Sequence, residues 1–373
     1  MKIVRKIEKL IKDRFFRSKA ILIYGARQVG KTTLIENLFD DVSKVLFFNG
    51  DEADVRETLK NMTSTRLKSL IGDYKIVCID EAQRIENIGI TLKLFTDKLK
   101  DILIIATSSS SFELADKMNE PLTGRKYEFT LYPLSFDEMV GFHGLLDETR
   151  LLNHRLIYGY YPEIVTVPGM EAEHLRLISD SYLYKDLFML DNIKKPVILQ
   201  KLVKALALQV GSEVSYNELS RLIEADKETV VKYIDALEKS FIIFQLPSLS
   251  RNLRNEIKKS RKIYFHDNGI RNAVINNFSP IQNRSDAGAL WENYFISERK
   301  KFLHNKGVKV DYYFWRTNQQ QEIDLIEEVD NKLNAYEIKW TKDSAFFSKT
   351  FENAYPDASL NLVNRDNFVK YLM

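Results

Sequence analysis

The chain has 373 residues, 55 Lys and Arg against 52 Asp and Glu, a formal net charge of +3 and a single cysteine. At about 150 residues per domain this is two or three domains, long enough to bury a core without cross-links. The lone Cys78 excludes a disulfide framework and a cysteine zinc cluster, and the balanced charge argues against a general nucleic-acid coat while leaving room for a local basic patch.

From Met1 to Lys19 basic and apolar residues interleave at helical spacing. This predicts a basic-faced helix packed on the first domain or lying on an anionic surface, not a signal peptide. No stretch approaches 18 uninterrupted apolar residues, so no membrane span is expected and a cytoplasmic protein is the default.

Ala20-Ile21-Leu22-Ile23-Tyr24 predicts a buried strand that runs into Gly25-Ala26-Arg27-Gln28-Val29-Gly30-Lys31-Thr32-Thr33 and then a helix. This is the phosphate-loop pattern in its required strand–loop–helix setting. Gly25 and Gly30 let the backbone curl so that successive N–H groups face phosphate oxygens, and the helix N-terminus adds partial positive charge. Lys31 can reach the β- and γ-phosphates, and the Thr32 hydroxyl can ligate Mg²⁺. A second apolar strand, Lys75 to Ile79, ends in Asp80-Glu81. Asp80 would hold Mg²⁺ through its water shell, and Glu81 could deprotonate a water beside the γ-phosphate. The pair implies nucleoside triphosphate hydrolysis rather than binding alone.

Ile102 to Ala106 predicts a third strand, tipped by Thr107 and four serines. Ser108 is favoured as the residue that senses the γ-phosphate or attacking water, with Ser110 or Ser111 as a helix cap. Arg125, before the strand Tyr127–Thr130, is either a transition-state arginine acting in cis or on a neighbouring subunit, or a surface arginine.

Gly-Ala-Arg-Gln-Val-Gly-Lys-Thr-Thr-Leu, Ile-Asp-Glu-Ala-Gln-Arg, Thr-Ser-Ser-Ser-Ser and Leu-Thr-Gly-Arg, with Tyr-Pro-Leu-Ser-Phe-Asp-Glu after them, form one set. The set resembles bacterial and archaeal ATPases of the AAA-plus superfamily, close to the signal-transducing STAND class. There the ATPase is followed by a winged helix and a nuclease-like domain of uncertain activity. The resemblance implies ATP and Mg²⁺ as cofactors, Lys31 and Thr32 as their ligands, Asp80 and Glu81 as the Walker B pair, and Ser108 as the sensor. Ala26 stands where many members have proline.

Residues 172–210 look helical, with a break at Lys195-Pro196. Ser215-x-x-Glu218 opens one short helix, and Asp226 caps a second whose apolar face is Val230, Val231, Ile234 and Leu237. A hairpin, Phe241–Phe244 and Ile263–His266, completes a winged-helix pattern. Its tip carries Arg251, Arg254, Lys258, Lys259, Arg261 and Lys262 against Glu256, so it could lie on DNA phosphates. The alternative is an interdomain or self-association module.

Gly288 to Asn305 predicts a helix containing Glu292, and three strands follow, the last two joined at Asp330-Asn331. Centred there, the hairpin sets Asp324 opposite Glu337 and Glu322 opposite Lys339. Facing carboxylates are destabilising without a reason, and a divalent metal supplies one. Asp324, Glu337-x-Lys339 and upstream Glu292 resemble the PD-(D/E)xK nuclease core. The resemblance makes Glu292, Asp324 and Glu337 metal ligands and Lys339 the catalytic lysine; the alternative is a surface hairpin with a Glu322–Lys339 ion pair.

The expected fold is therefore α/β. A parallel-sheet P-loop domain of the ASCE/AAA-plus type spans residues 1–165. A helical and winged-helix segment spans 166–285, and a restriction-endonuclease-like α/β domain spans 286–373. The expected activity is ATP hydrolysis driving a nucleic-acid effector, with homo-oligomerisation possible. A signalling ATPase with a non-cleaving, partner-binding C-terminal domain is the rival, and a small-molecule kinase is disfavoured by Glu81.

Overall fold

The computed structural model describes residues 3–39, 41–110, 122–180, 195–249, 261–317, 319–344 and 347–373. The chain divides into two compact units: residues 4–133 with 239–241, and residues 1–3 with 134–238 and 242–373.

The first unit is built on five parallel strands, β1 (Ala20–Tyr24), β2 (Val45–Asn49), β3 (Ile76–Asp80), β4 (Leu103–Ser108) and β5 (Lys126–Thr130), in the order β2-β3-β4-β1-β5. Central strands covered on both faces need continuous apolar runs, and β1 is buried at every position. Helices α1 (Glu8–Lys12), α2 (Lys31–Leu38), α3 (Ala53–Leu59), α4 (Ser64–Ile71) and α5 (Ile88–Lys98) belong to this unit. Leu67 and Ile71 of α4 and Ile88, Leu92 and Phe95 of α5 join Leu22, Val77, Ile79 and Ile104 in one core cluster. The N-terminal helix is shorter than its periodicity predicts. It spans Glu8–Lys12, and Ile7 and Ile11 are its buried anchors.

The second unit begins with α6 (Phe136–His143), α7 (Leu145–Arg150), α8 (Leu152–Tyr158), α9 (Pro162–Thr166) and α10 (Glu171–Asp180). Next come α11 (Pro196–Leu208), β6 (Glu213–Val214), α12 (Tyr216–Leu222), α13 (Lys227–Lys239), β7 (Ile243–Pro247) and β8 (Arg261–Phe265), with the strands ordered β6-β8-β7. Asp226 caps α13 as expected, its carboxylate accepting from Thr229 N at 2.7 Å. The apolar face of α13 uses Tyr233 in place of Val231, which is exposed.

After α14 (Asn268–Val274), α15 (Ala287–Asn305) leads into β9 (Asp311–Arg316), β10 (Glu322–Val329), β11 (Lys332–Ile338), α16 (Lys349–Ala354), β12 (Ser359–Val363) and α17 (Val369–Leu372). The strand order is β12-β11-β10-β9, parallel only between β11 and β12. Helix α15 is buried over most of its circumference. Its polar Asn293 is tolerated because it accepts from Phe265 N at 2.7 Å and donates to Phe265 O and Asn268 Oδ1.

The predicted hairpin register is observed. Leu325 pairs with Tyr336 and Ile326 with Ala335, across a turn in which Asp330 and Asn331 both take positive φ. Strict alternation along β10 is not. Ile323 and Ile326 share one cluster with Trp315, Ala335 and Phe351, because the register against β9 shifts between them.

Candidate functional site

The loop between β1 and α2 lies at the C-terminal edge of the parallel sheet. Gly30 takes φ of 90° as the N-cap of α2, and Gln28 is also left-handed. Gly25 is required by contact: any Cβ there would collide with the carbonyl oxygen of Leu131. Lys31 is buried and donates to the carbonyls of Gly25 at 2.9 Å and Ala26 at 3.0 Å, with Glu81 Oε1 at 3.9 Å. The Thr32 hydroxyl donates to Asp80 Oδ2 at 2.6 Å. Thr32 and Thr33 are exposed on the first turn of α2. The loop, the lysine, the threonine and the two carboxylates, separate in sequence, are thus brought together.

Order in the sheet explains how. Strand β4 lies between β1 and β3, so its tip stands between the loop and the carboxylates. The tip residue that engages Asp80 is Thr107, whose hydroxyl donates to Asp80 Oδ1 and accepts from Glu81 N at 3.2 Å. Ser108, expected as the sensor, is fully buried and donates to Ser110 O at 2.7 Å instead. The physical reason is the pleat: adjacent residues of one strand point to opposite faces. Ser111 lies outside the described residues.

Glu81 itself sits in the left-handed region with φ of 47°, uncommon for a residue with a side chain. Its Oε2 accepts from Gln83 Nε2, which also donates to Ser109 Oγ at 2.9 Å. From the other side Gly50, which donates to Asp80 O at 2.8 Å, lies against the Asp80–Glu81 backbone. Arg5 braces the loop from behind, donating to Val29 O at 3.0 Å and Tyr132 O at 2.6 Å. Thr107 and Gln83 lie inside the quoted motifs, but their neighbours draw the attention there, and Gly50 and Arg5 lie in no motif; the sheet order and long-range contacts reveal what all four do.

Arg125 is placed at the wrong end of the sheet for a role in cis. Its carbonyl accepts from Ala20 N at the start of β1, whereas the loop follows the end of that strand, roughly 16 Å away. Its side chain pairs with Asp97 at 2.7 Å, both groups being partly exposed.

The second expected site gathers differently. Glu292, Glu322, Asp324, Glu337 and Lys339 do converge, but they converge on lysines. Lys262 of β8 is 2% exposed, with Nζ 3.2 Å from Glu292 Oε1, 3.9 Å from Asp324 Oδ1 and in contact with Glu322 Oε1. Lys339 Nζ lies 2.6 Å from Glu337 and 3.5 Å from Asp324. Asp324 Oδ2 also accepts from Ile338 N at 2.8 Å, and Tyr264 donates to Glu292 at 2.6 Å. Burial, opposed by Lys262, pushes the Glu292 carboxyl up to about 7. Burial and then the Asp324 charge raise Glu337. Burial alone would lower Lys262 and Lys339, but the surrounding carboxylates outweigh it and hold both raised.

Among the described residues no group of three acidic or metal-binding side chains is arranged to hold a metal ion. The alternative, a Glu322–Lys339 pair, is replaced by Glu322–Lys262 and Lys339–Glu337. Nor is Lys262 a solvated wing residue, and neighbouring Arg261 is tied to Gln245 at 3.1 Å. Arg251, Arg254, Glu256, Lys258 and Lys259 lie outside the described residues. Among those described, no helix is long and apolar enough to cross a membrane.

Comparison with known proteins agrees with the geometry of the first unit. An AAA domain family matches residues 17–140, and domains of unknown function DUF8612 and DUF4143 match 149–281 and 287–370. An uncharacterized protein of Mycobacterium tuberculosis is 26% identical over 349 residues, covering 92% of this chain and 75% of its own. One from Methanocaldococcus jannaschii is 25% identical over 354 residues, covering 82% and 72%. Among solved structures, a Walker-type ATPase of Pyrococcus abyssi aligns with a TM-score of 0.49 and 15% identity, over 72% of this chain and 94% of that one. The parallel sheet, its phosphate-type loop and the AAA match together give residues 17–140 an AAA-type P-loop ATPase fold.

Proposed function

We propose that the protein binds and hydrolyses ATP as a conformational switch. The observation that carries this is the meeting of Lys31, Thr32, Asp80 and Glu81 at one edge of the sheet. The donor set fits Mg–ATP. The loop N–H groups and Lys31 suit phosphate oxygens, and Thr32 Oγ1 and Asp80 Oδ2 would hold the ion. When bound, Mg²⁺ neutralises charge on the transferring phosphoryl group. Lys31, now on the loop's own carbonyls, would turn to the phosphates. Glu81 would take a proton from the attacking water, and Thr107 and Gln83 hold Asp80 and Glu81 in place for that step. Phosphate release from ATP, compared with GTP, tests the reading. Lys31→Ala should abolish it; persistent release would refute the assignment.

For the second unit we read α11, β6, α12, α13 and the β7–β8 hairpin as a winged helix, and α15 to β12 as a restriction-endonuclease-like core. Action on nucleic acid would use Arg251, Arg254, Lys258 and Lys259 on phosphates. Replacing these four by Ser should abolish DNA retention at low salt, and unchanged retention would sink the idea. The rival, a partner-binding domain that cuts nothing, is favoured by one observation: the candidate metal ligands are already neutralised by Lys262 and Lys339. Nicking of plasmid that needs Mg²⁺ or Mn²⁺ and is lost in Lys339→Ala would overturn it. Self-association, which a trans role for Arg125 requires, is read by light scattering with and without ATP.

A further inference from the structure

The carboxylates of the second unit are the right residue types for a divalent ion, yet their arrangement does not fit one. Each already has a basic partner. Glu292 and Glu322 meet Lys262, Glu337 meets Lys339, and Asp324 lies within 4.0 Å of both lysines. Arg316 adds contacts to Glu213 at 3.0 Å and Glu322 at 3.8 Å.

Lys262 is the decisive residue. It comes from β8, paired between β6 and β7, so its backbone is fixed on both sides. Its side chain is 2% exposed, and its ammonium lies 5.7 Å from the Phe314 ring centroid. A buried ammonium is tolerated only when carboxylates surround it, and here three do. A divalent ion on Glu292 and Asp324 would stand within a few ångströms of that charge. Lys262 could make room only by leaving its carboxylates, losing its compensation.

We infer that Lys262 is a resident cation: its ammonium takes the place a divalent ion would need, and the cluster is an ionic clasp fastening β8 to α15 and β10 instead of a metal centre. The same lysine joins three elements far apart in sequence, with the Tyr264 hydroxyl, two residues on, also donating to Glu292. This holds whether or not the first unit hydrolyses ATP.

The test is Mn²⁺ uptake by the full chain without nucleotide, followed by electron paramagnetic resonance. Asp80→Asn is present throughout to silence the first site. The protein with Lys262 intact should take up no equivalent at about 1 mM Mn²⁺. Lys262→Met should gain one equivalent, at least about tenfold tighter, because the repelling charge is gone. Adding Asp324→Asn should remove it. One equivalent bound with Lys262 present and lost on Asp324→Asn would overturn the inference, as would a folded Lys262→Met protein that binds nothing. Should Lys262→Met fail to fold, Lys262→Arg keeps the charge. It is expected to fold and exclude the ion, and Mn²⁺ bound by it at Asp324 would overturn the inference equally.

Discussion

Gly50 gives a direct test of how finely the proposed hydrolytic pair, Asp80 and Glu81, is placed. It is buried at the end of β2, donating to Asp80 O at 2.8 Å. A Cβ at this position would fall inside 3.0 Å of the Glu81 carbonyl oxygen and 3.2 Å from that of Asp80. Those atoms are backbone, so relief requires moving the Asp80–Glu81 peptide by on the order of half an ångström. A misplacement of about 1 Å can cost about a hundredfold in rate, so half that distance predicts about tenfold, or about 1.4 kcal/mol in the barrier. The phosphate-type loop follows β1, two strands beyond β3, and meets the pair through the side chains of Thr32 and Lys31 rather than through the Asp80–Glu81 peptide that would move. Gly50→Ala should therefore lower kcat for phosphate release about tenfold and leave KM for ATP within about threefold. A kcat unchanged within about twofold, in a variant with an unchanged melting temperature, would refute the reasoning.

Glu81→Gln removes the proposed base but keeps the side-chain size. Phosphate release should fall about 10²- to 10⁴-fold while a fluorescent ATP analogue still binds. Arg125→Ala should leave kcat within about twofold at protein concentrations where the chain is monomeric, because its partner Asp97 is a partly exposed surface contact. A rate that instead falls with Arg125→Ala and rises with protein concentration would point to action in trans. Arg155→Met strips the fully buried Glu148 of two hydrogen bonds, at 2.9 and 3.1 Å, leaving Tyr160 and His143 as its donors. Urea unfolding should show a loss of about 3–5 kcal/mol in the second unit.

Much of the first unit was legible because its signals are local. Short apolar runs mark β1, β3 and β4, and the chemistry follows directly at their ends, as in Tyr24-Gly25 and Asp80-Glu81. The β10–β11 register was legible for the same reason, since Asp330-Asn331 fixes the turn and the turn fixes the pairing. What failed was long-range or depended on one pleat. Thr107 rather than Ser108 meets Asp80 because of side-chain alternation at a strand tip. Arg125 is adjacent in sequence to β5 but stands at the wrong end of it. Lys262 sits in a run of basic residues that suggests solvent, and only the neighbours of β8 turn it inward. The shift between Ile323 and Ile326 broke an alternation that the amino-acid pattern alone supports.

Strand β7 does not end at Pro247 as an open edge. Ser248 forms a parallel bridge to Phe314 of β9, and Leu249 N donates to Phe314 O at 2.7 Å. The border between the two family matches, 149–281 and 287–370, therefore crosses a place where two sheets are stitched. Divided there, each fragment would carry a freshly uncovered strand edge, the N-terminal piece also a buried lysine stripped of its counter-charges. Unpaired edges recruit other chains, so the two matched segments, made as separate fragments, would each expose a surface prone to association.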